Sequence, residues 1–238
     1  MTGPSLLAMR WEDVVFAHWA IDPAIVATKL PADLSVDTFD GNAYLSVVGF
    51  DMRDIRPRGF PLGRSFPELN LRTYVQGDAG PGIYFFNLDA DDALSVALAR
   101  RLFRLSYYRA EIEIEEGDDG VLIRSHRTDD SVPPTDFDAT CRPRGDPDEP
   151  EPGTLAWFLT ERYRFYANVG GGDHLFVGTV DHPSWPLQSA ALTIRENDLF
   201  RVNGFETPSE DPLVHYSPGV DVTAGAALPL AATGSLWG

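Results

Sequence analysis

The stretch Glu68-Leu69-Asn70-Leu71-Arg72-Thr73-Tyr74-Val75 alternates polar and apolar side chains. On an extended strand this spacing puts Glu68, Asn70, Arg72 and Tyr74 on one face, and Leu69, Leu71, Thr73 and Val75 on the other. A carboxylate, an amide, a guanidinium and a phenol in one row can hold a polar small molecule or move a proton. The same row turned to water would only carry solvated charge. If it turns inward, Arg72 is desolvated and needs a carboxylate, from Glu68 or from a ligand, because an unpaired buried guanidinium is costly.

Other candidates are scattered. Arg162, in Glu161-Arg162-Tyr163, stands where a helix meets a strand and suits a structural salt bridge as well as a ligand contact. His18 lies beside Trp19 in a strand-like run, where a core histidine satisfied by backbone is the ordinary outcome. Arg109 opens a strand on its polar face, a position equally suited to a plain surface residue. His182-Pro183-Ser184-Trp185-Pro186 forms a rigid loop whose rings either rim an opening or plug one. The five histidines are dispersed, so no spacing demands a metal and none is expected. Cys141 reads as a small buried side chain. No His-Glu-x-x-His, Gly-x-Ser-x-Gly or phosphate-loop motif occurs. Gly170-Gly171-Gly172-Asp173 falls between two strand-like runs and reads as a turn.

The elements that must position these groups are short. Strands are expected at Val14 to Ala20, Leu69 to Gln76 and Ile83 to Leu88, with a strand pair in Leu34 to Phe50 turning at Asp40-Gly41. A short helix fits Pro23 to Leu30. Arg53 to Pro67, rich in Pro, Gly and Arg, reads as a long loop. After Asp89 or Asp91, Leu94, Ala97, Leu98, Leu102 and Leu105 recur at helical steps. From Arg109 to Glu115 the period switches to two, and Asp119-Gly120 turns the chain back into Val121 to Arg127. Gly145 to Gly153 reads as an exposed charged connector and the best internal boundary, after which Thr154 caps a helix. Strands are expected again at Tyr163 to Val169, Leu175 to Val180 and Leu213 to Val222. The fold class is therefore α+β, mainly antiparallel β with two or three helices, in a single domain over 1–238 with a subdomain boundary near 145–153.

Composition narrows the function. The 238 residues carry a net charge of −17, which argues against nucleic acid or anionic lipid as partner. Eighteen of the 19 basic residues are Arg, Lys29 is the only lysine, and Asp outnumbers Glu 24 to 12. Short hydrated carboxylates in place of flexible lysines read as adaptation to multimolar salt, where screening relieves self-repulsion. One cysteine forbids an internal disulfide, and no apolar run is long enough to span a membrane, so a reduced, cytoplasmic setting is expected.

Seven blocks in order give a family resemblance. These include His18-Trp19, Glu68 to Val75, Pro81-Gly82-Ile83-Tyr84-Phe85-Phe86, Leu159-Thr160-Glu161-Arg162-Tyr163, His182 to Leu187 and His215-Tyr216-Ser217-Pro218-Gly219-Val220. Through them the sequence resembles the YqjF-like (DUF2071) family over nearly its whole length. That resemblance implies an acetoacetate decarboxylase-like β-barrel with flanking strands and an interior cavity. Decarboxylases of this fold use a lysine Schiff base. The matching stretch here looks like Ala99 to Tyr108 and places Tyr107 where the lysine belongs. Schiff-base decarboxylation is therefore not expected, while the family's active-site glutamate corresponds to Glu68. With the row facing inward, Arg72, Asn70, Tyr74, Tyr107, His18, Arg109, Arg162 and His182 are the ligand-binding candidates, and Glu68 and Tyr107 the catalytic ones. The reading is a protein that binds a small anionic or carbonyl-bearing metabolite without cofactor, with self-association left open. The alternative is a non-covalent acid/base enzyme, lyase- or isomerase-like, on the same residues.

Overall fold

Alternating apolar runs punctuated by Gly and Asp turns build a sheet of thirteen strands in the computed structural model, which describes residues 5–91, 105, 107–168 and 175–230. The first five are β1 (Leu7–Ile21), β2 (Ser35–Val36), β3 (Ala43–Pro57), β4 (Arg64–Gly77) and β5 (Gly80–Ala90). Then come β6 (Tyr107–Gly117), β7 (Gly120–Arg127), β8 (Asp136–Asp148), β9 (Arg164–Asn168) and β10 (Leu175–Asp181). The last are β11 (Leu187–Asn197), β12 (Leu213–Ala224) and β13 (Leu228–Pro229). Three short helices are described: α1 (Pro23–Ala27), α2 (Leu155–Thr160) and α3 (Leu199–Val202). Asp22 caps α1 and Thr154 caps α2 through side-chain oxygens. Among the described residues no helix is long and apolar enough to cross a membrane.

Pairing closes the sheet on itself twice. β5, β6, β7, β8, β11, β12, β1, β3 and β4 form one ring, closed by β5 on β4. β5, β9, β10, β12, β1, β3 and β4 form another, closed by β10 on β12. Most neighbours are antiparallel; β5 pairs parallel with β6 and with β9. The rings share β12, β1, β3, β4 and β5, so both faces of those strands are interior. This is why Leu69 and Leu71 are as buried as Glu68 and Asn70. The first ring is packed with apolar side chains such as Val15, Leu45, Leu71, Ile123 and Phe137. The second encloses Phe16, Phe50, Phe66, Phe165 and Trp185 around a cavity.

Bulges keep the cavity face in phase. In β1 the register slips between Glu12 and Val15, where Asp13 has φ +50, so Met9 and Trp11 before it and Val14 and Phe16 after it all face the cavity. Tyr216 donates to Asp13 Oδ1 at 2.7 Å and fixes this turn of the chain.

Several expectations are corrected. Arg53 to Pro67 is no long loop: β3 runs to Pro57 and β4 starts at Arg64, leaving 58–63 as the connection. Pro67 sits in β4 opposite Asp51, beyond the point where β5 pairing stops at Glu68, so its missing N–H deprives no neighbour. Gly145 to Asp148 belongs to β8 rather than to a connector, because Leu187 and Ser189 of β11 pair with Asp148 and Arg144. The sheet also crosses that sequence boundary, through β1 with β12, β5 with β9 and β8 with β11. Asp89 caps no helix; it lies in β5, its carboxylate bound at 2.9 Å by both Arg127 Nε and Nη2. β8, β11 and α3 lay outside the expected elements. The helix expected from Leu94 and the turn at Gly170 to Asp173 fall outside the described residues, Leu105 excepted.

Candidate functional site

β4 runs through the wall shared by both rings, and its alternation sends Glu68, Asn70 and Arg72 to the cavity while Leu69 and Leu71 anchor in the packed ring. The cavity has a volume of about 270 Å³. Glu68 is 3%, Asn70 2% and Arg72 7% exposed, so the row is desolvated. β6 starts at Tyr107, whose backbone lies beside Leu88 of β5, itself opposite Asn70, and this lets the phenol reach past β5 to β4. Its hydroxyl donates to Glu68 Oε2 at 2.8 Å, while Asn70 Nδ2 donates to Glu68 Oε1 at 3.1 Å.

Burial raises the Glu68 carboxyl from its ordinary 4.5 to about 7, despite opposing hydrogen bonds from Tyr107 and Asn70 and the nearby Arg72 charge. Burial, reinforced by the Glu68 carboxylate, pushes the Tyr107 phenol well above 10. Glu68 is thus divided between its two protonation states near neutrality, and Tyr107 remains a donor. Two groups with such separated proton affinities can act as acceptor and donor on one bound molecule.

Arg72 differs from expectation. Among the described residues no carboxylate lies within ion-pair distance of it. Nη2 donates to the Leu159 carbonyl at 3.3 Å, and the guanidinium stands 5.6 Å from the Phe16 ring centroid and 5.9 Å from that of Tyr74. Its Nε has no partner, nor do Asn70 Oδ1 and Trp185 Nε1, all three being buried atoms of cavity-lining residues. The carboxylate the sequence would have offered, Glu68, is taken by Tyr107 and Asn70.

The remaining candidates divide. Arg162 lines the cavity but is an ion-pair residue, donating to Asp37 Oδ2 at 2.7 Å and to the Phe158 carbonyl at 2.6 Å. Helix α2 ends at Thr160, so Arg162 lies just past it. His182 lines the cavity, stacks on Tyr163 with centroids 4.6 Å apart, and points Nδ1–H at the Pro183 carbonyl at 2.9 Å. Burial lowers its proton affinity. Tyr74 is buried and gives its hydroxyl proton to the Leu159 carbonyl at 2.9 Å, behind Arg72 and outside the cavity lining. His18 meets side chains rather than backbone, through one ring nitrogen: Nδ1 lies 2.7 Å from Ser46 Oγ and 3.3 Å from the Tyr74 hydroxyl, while Nε2 is buried without a hydrogen-bond partner among the described residues. Burial, with His215 and Arg72 nearby, holds it well below 6.5 and therefore neutral. Arg109 is exposed on β6 and does not line the cavity. Lys29 is exposed under the Phe205 ring at 5.6 Å, so no lysine reaches the cavity. Cys141 is buried in the packed ring, its thiol pushed up to about 12.

Sequence reasoning passed over two features. Glu161 holds the His182 to Pro186 loop, accepting from Ser184 Oγ at 3.2 Å and Trp185 N at 3.0 Å, with the Tyr163 hydroxyl as a third donor. Arg56, Arg64 and Arg164 join Arg72 and Arg162 around the cavity, where Glu68 is the sole acidic lining residue among the described residues. In a chain of charge −17 this inversion of sign is a local signal, and the arginines crowding Arg53 to Arg64 carried it in the sequence.

Comparison with known proteins places these features in context. The profile of DUF2071, described as an uncharacterized conserved protein, matches residues 8–221. The chain is 39% identical over 223 residues to the uncharacterized protein YqjF of Bacillus subtilis (strain 168), covering 92% of this chain and 90% of that one. An acetoacetate decarboxylase-like enzyme from Sphingomonas wittichii RW1 superposes with a TM-score of 0.63 at 14% identity, over 96% of this chain and 94% of that one. Acetoacetate decarboxylase from Legionella pneumophila gives 0.64 at 14%, over 97% and 89%. The enduracididine biosynthesis enzyme MppR, complexed with pyruvate, gives 0.64 at 13%, over 97% and 92%. At these identities the likeness to solved structures is one of fold.

Proposed function

Given that this chain belongs to the DUF2071 family of uncharacterized conserved proteins, we propose that it binds a small anionic or carbonyl-bearing metabolite inside the seven-strand ring. The observation that carries this reading is Arg72, a buried guanidinium on the wall of a mainly apolar cavity, with no carboxylate in ion-pair distance and no partner for its Nε among the described residues. A ligand carboxylate or carbonyl supplies the acceptor that Arg72 Nε lacks, and the Trp185 Nε1–H offers a further unpaired donor. The neighbour MppR, complexed with the 2-oxo acid pyruvate, lends a precedent for such a ligand on this fold. Without a lysine in the cavity, binding here proceeds without a Schiff base.

The test is thermal unfolding with pyruvate, acetate and butanoate, for the wild type and Arg72→Leu. A ligand at a hundred times its Kd adds about 2.7 kcal/mol, or roughly 5–10 °C in a domain of this size. The reading expects that shift in the wild type and its loss in the variant. It is overturned by equal shifts in both proteins, or by none of these acids acting on either.

The Glu68 carboxyl near 7 favours a second reading, proton transfer on the same ligand. The Glu68 carboxylate would take an α-proton from a bound oxo acid, the C–H electron pair becoming the enolate, with Arg72 and the Tyr107 hydroxyl meeting its charge. Exchange of pyruvate methyl protons in D₂O, followed by NMR, separates the readings. An enzyme loses exchange by about a hundredfold or more in Glu68→Gln; a simple binder catalyses none.

A further inference from the structure

We infer that the ligand is a monocarboxylate with an unbranched apolar tail, its head at Arg72 and its tail running toward Leu7, Ile55 and Pro57. This rests on the proposed binding function and deepens it.

Polarity along the cavity is segregated. On the paired strands β3 and β4, Arg72 lies opposite Ser46, Asn70 opposite Val48 and Glu68 opposite Phe50. Past Glu68 the facing residues become Met52 with Phe66, then Ile55 with Arg64. β1 follows the same axis, with Phe16 opposite Val48 at the inner end and Leu7 opposite Pro57 at the outer one. The inner end is closed, Phe16, Val48 and Arg72 all being buried, whereas Pro57 and Arg64 are exposed. The cavity therefore has a polar, sealed end, an apolar middle, and an open rim where Arg56 and Arg64 stand beside Leu7, Ile55 and Pro57.

The apolar part has length. The four residues from Glu68 to Arg64 cover about 13 Å at ~3.3 Å per residue. Two methionines, Met9 and Met52, sit along it beside Trp11, Phe50 and Phe66. Thioethers and ring faces adapt to a flexible chain and make no directional demand on it. A two- or three-carbon acid would engage only the inner end and leave this apolar length without a ligand group. The volume of about 270 Å³ is close to the ~300 Å³ lower end of small-ligand pockets, which bounds the tail to a medium chain rather than a long one. One buried guanidinium at the inner end, with no carboxylate in ion-pair distance among the described residues, calls for one carboxylate there.

Calorimetric titration of the full chain with acetate, butanoate, hexanoate and octanoate, together with pyruvate, 1-octanol and the eight-carbon dicarboxylate suberate, decides the matter. Each methylene buried should tighten Kd by about fourfold, hence about sixteenfold per step of two carbons, until the chain reaches the rim. Met52→Trp should move the best length to a shorter acid. If acetate and pyruvate bind as tightly as octanoate, the tail assignment fails while the binding function stands. If 1-octanol equals octanoate, the head assignment fails; if suberate exceeds octanoate by tenfold, the arginines at the rim hold a second carboxylate and the monocarboxylate assignment fails. If no acid binds, including pyruvate, both this inference and the proposed function fall.

Discussion

Replacing Glu68 by Gln removes a carboxyl that the folded chain holds near 7 and the unfolded chain near 4.5. Below pH 4.5 both states are protonated and the group contributes nothing to the pH dependence. As pH rises from 4.5 through 7 the unfolded chain releases the proton first, so the wild type loses stability across that window and carries the full penalty above it. At 1.36 kcal/mol per pH unit the loss is about 3 kcal/mol. For a domain of this size that corresponds to roughly 6–12 °C in Tm. Gln has no such titration. Its altered hydrogen bonding to Tyr107 and Asn70 adds an offset that is the same at every pH. The difference in Tm, Glu68→Gln minus wild type, should therefore rise by about 5–10 °C between pH 5 and pH 8 in melts at constant ionic strength, part of the loss having already occurred at pH 5. Other titrating groups, His18 and Asp89 among them, are common to both proteins and cancel. A difference that stays flat across the series, or falls, refutes the assignment of Glu68 as a desolvated carboxyl.

Three further outcomes follow from the same contacts. Tyr107→Phe deletes the 2.8 Å bond that favours ionised Glu68, so the Glu68 titration followed by carboxyl ¹³C shift should move above 7, with a stability loss of about 1.5–3 kcal/mol at pH 8; an unchanged titration contradicts the contact. Asp89→Ala leaves Arg127, whose side chain is 3% exposed, without its partner and should cost about 3–5 kcal/mol in urea melts. A loss below 1 kcal/mol there would mean the pair is solvated. With a net charge of −17, Tm should climb as KCl is raised, most steeply below about 1 M, where the Debye length falls to ~3 Å; a flat profile from dilute buffer to saturation removes the proposed salt adaptation.

The sequence made the polar row on β4 legible because strand alternation is local. It could not show that both faces of β4 are interior, since that depends on β9 and β10 closing the second ring from far along the chain. The same limit hid the partner choice at the site: Glu68 and Arg72 share a face, yet Glu68 is claimed by Tyr107, 39 residues on. Pro- and Gly-rich composition misled at Arg53 to Pro67 and Gly145 to Asp148, where long-range pairing overrides local preference and the prolines sit where no ladder donor is needed. Arg162 shows the converse: a structural ion pair and a cavity wall at once, two alternatives that Glu161-Arg162-Tyr163 left open. His18 was recognisable as a core residue, but the meeting of its Nδ1 with Ser46 and Tyr74 needed three strands side by side.

The wall common to both rings separates two kinds of selection on one set of strands. Odd-numbered positions of β4 answer to the filled compartment, where Leu69 and Leu71 secure the strand regardless of what the other side does. Even-numbered positions are thereby released to change their chemistry, and the cavity can gain or lose polar groups, or lengthen an apolar slot, without renegotiating the scaffold. Engineering can exploit it directly: libraries confined to Phe66, Glu68, Asn70 and Arg72 should diversify ligand choice while the compartment behind them keeps the protein folded.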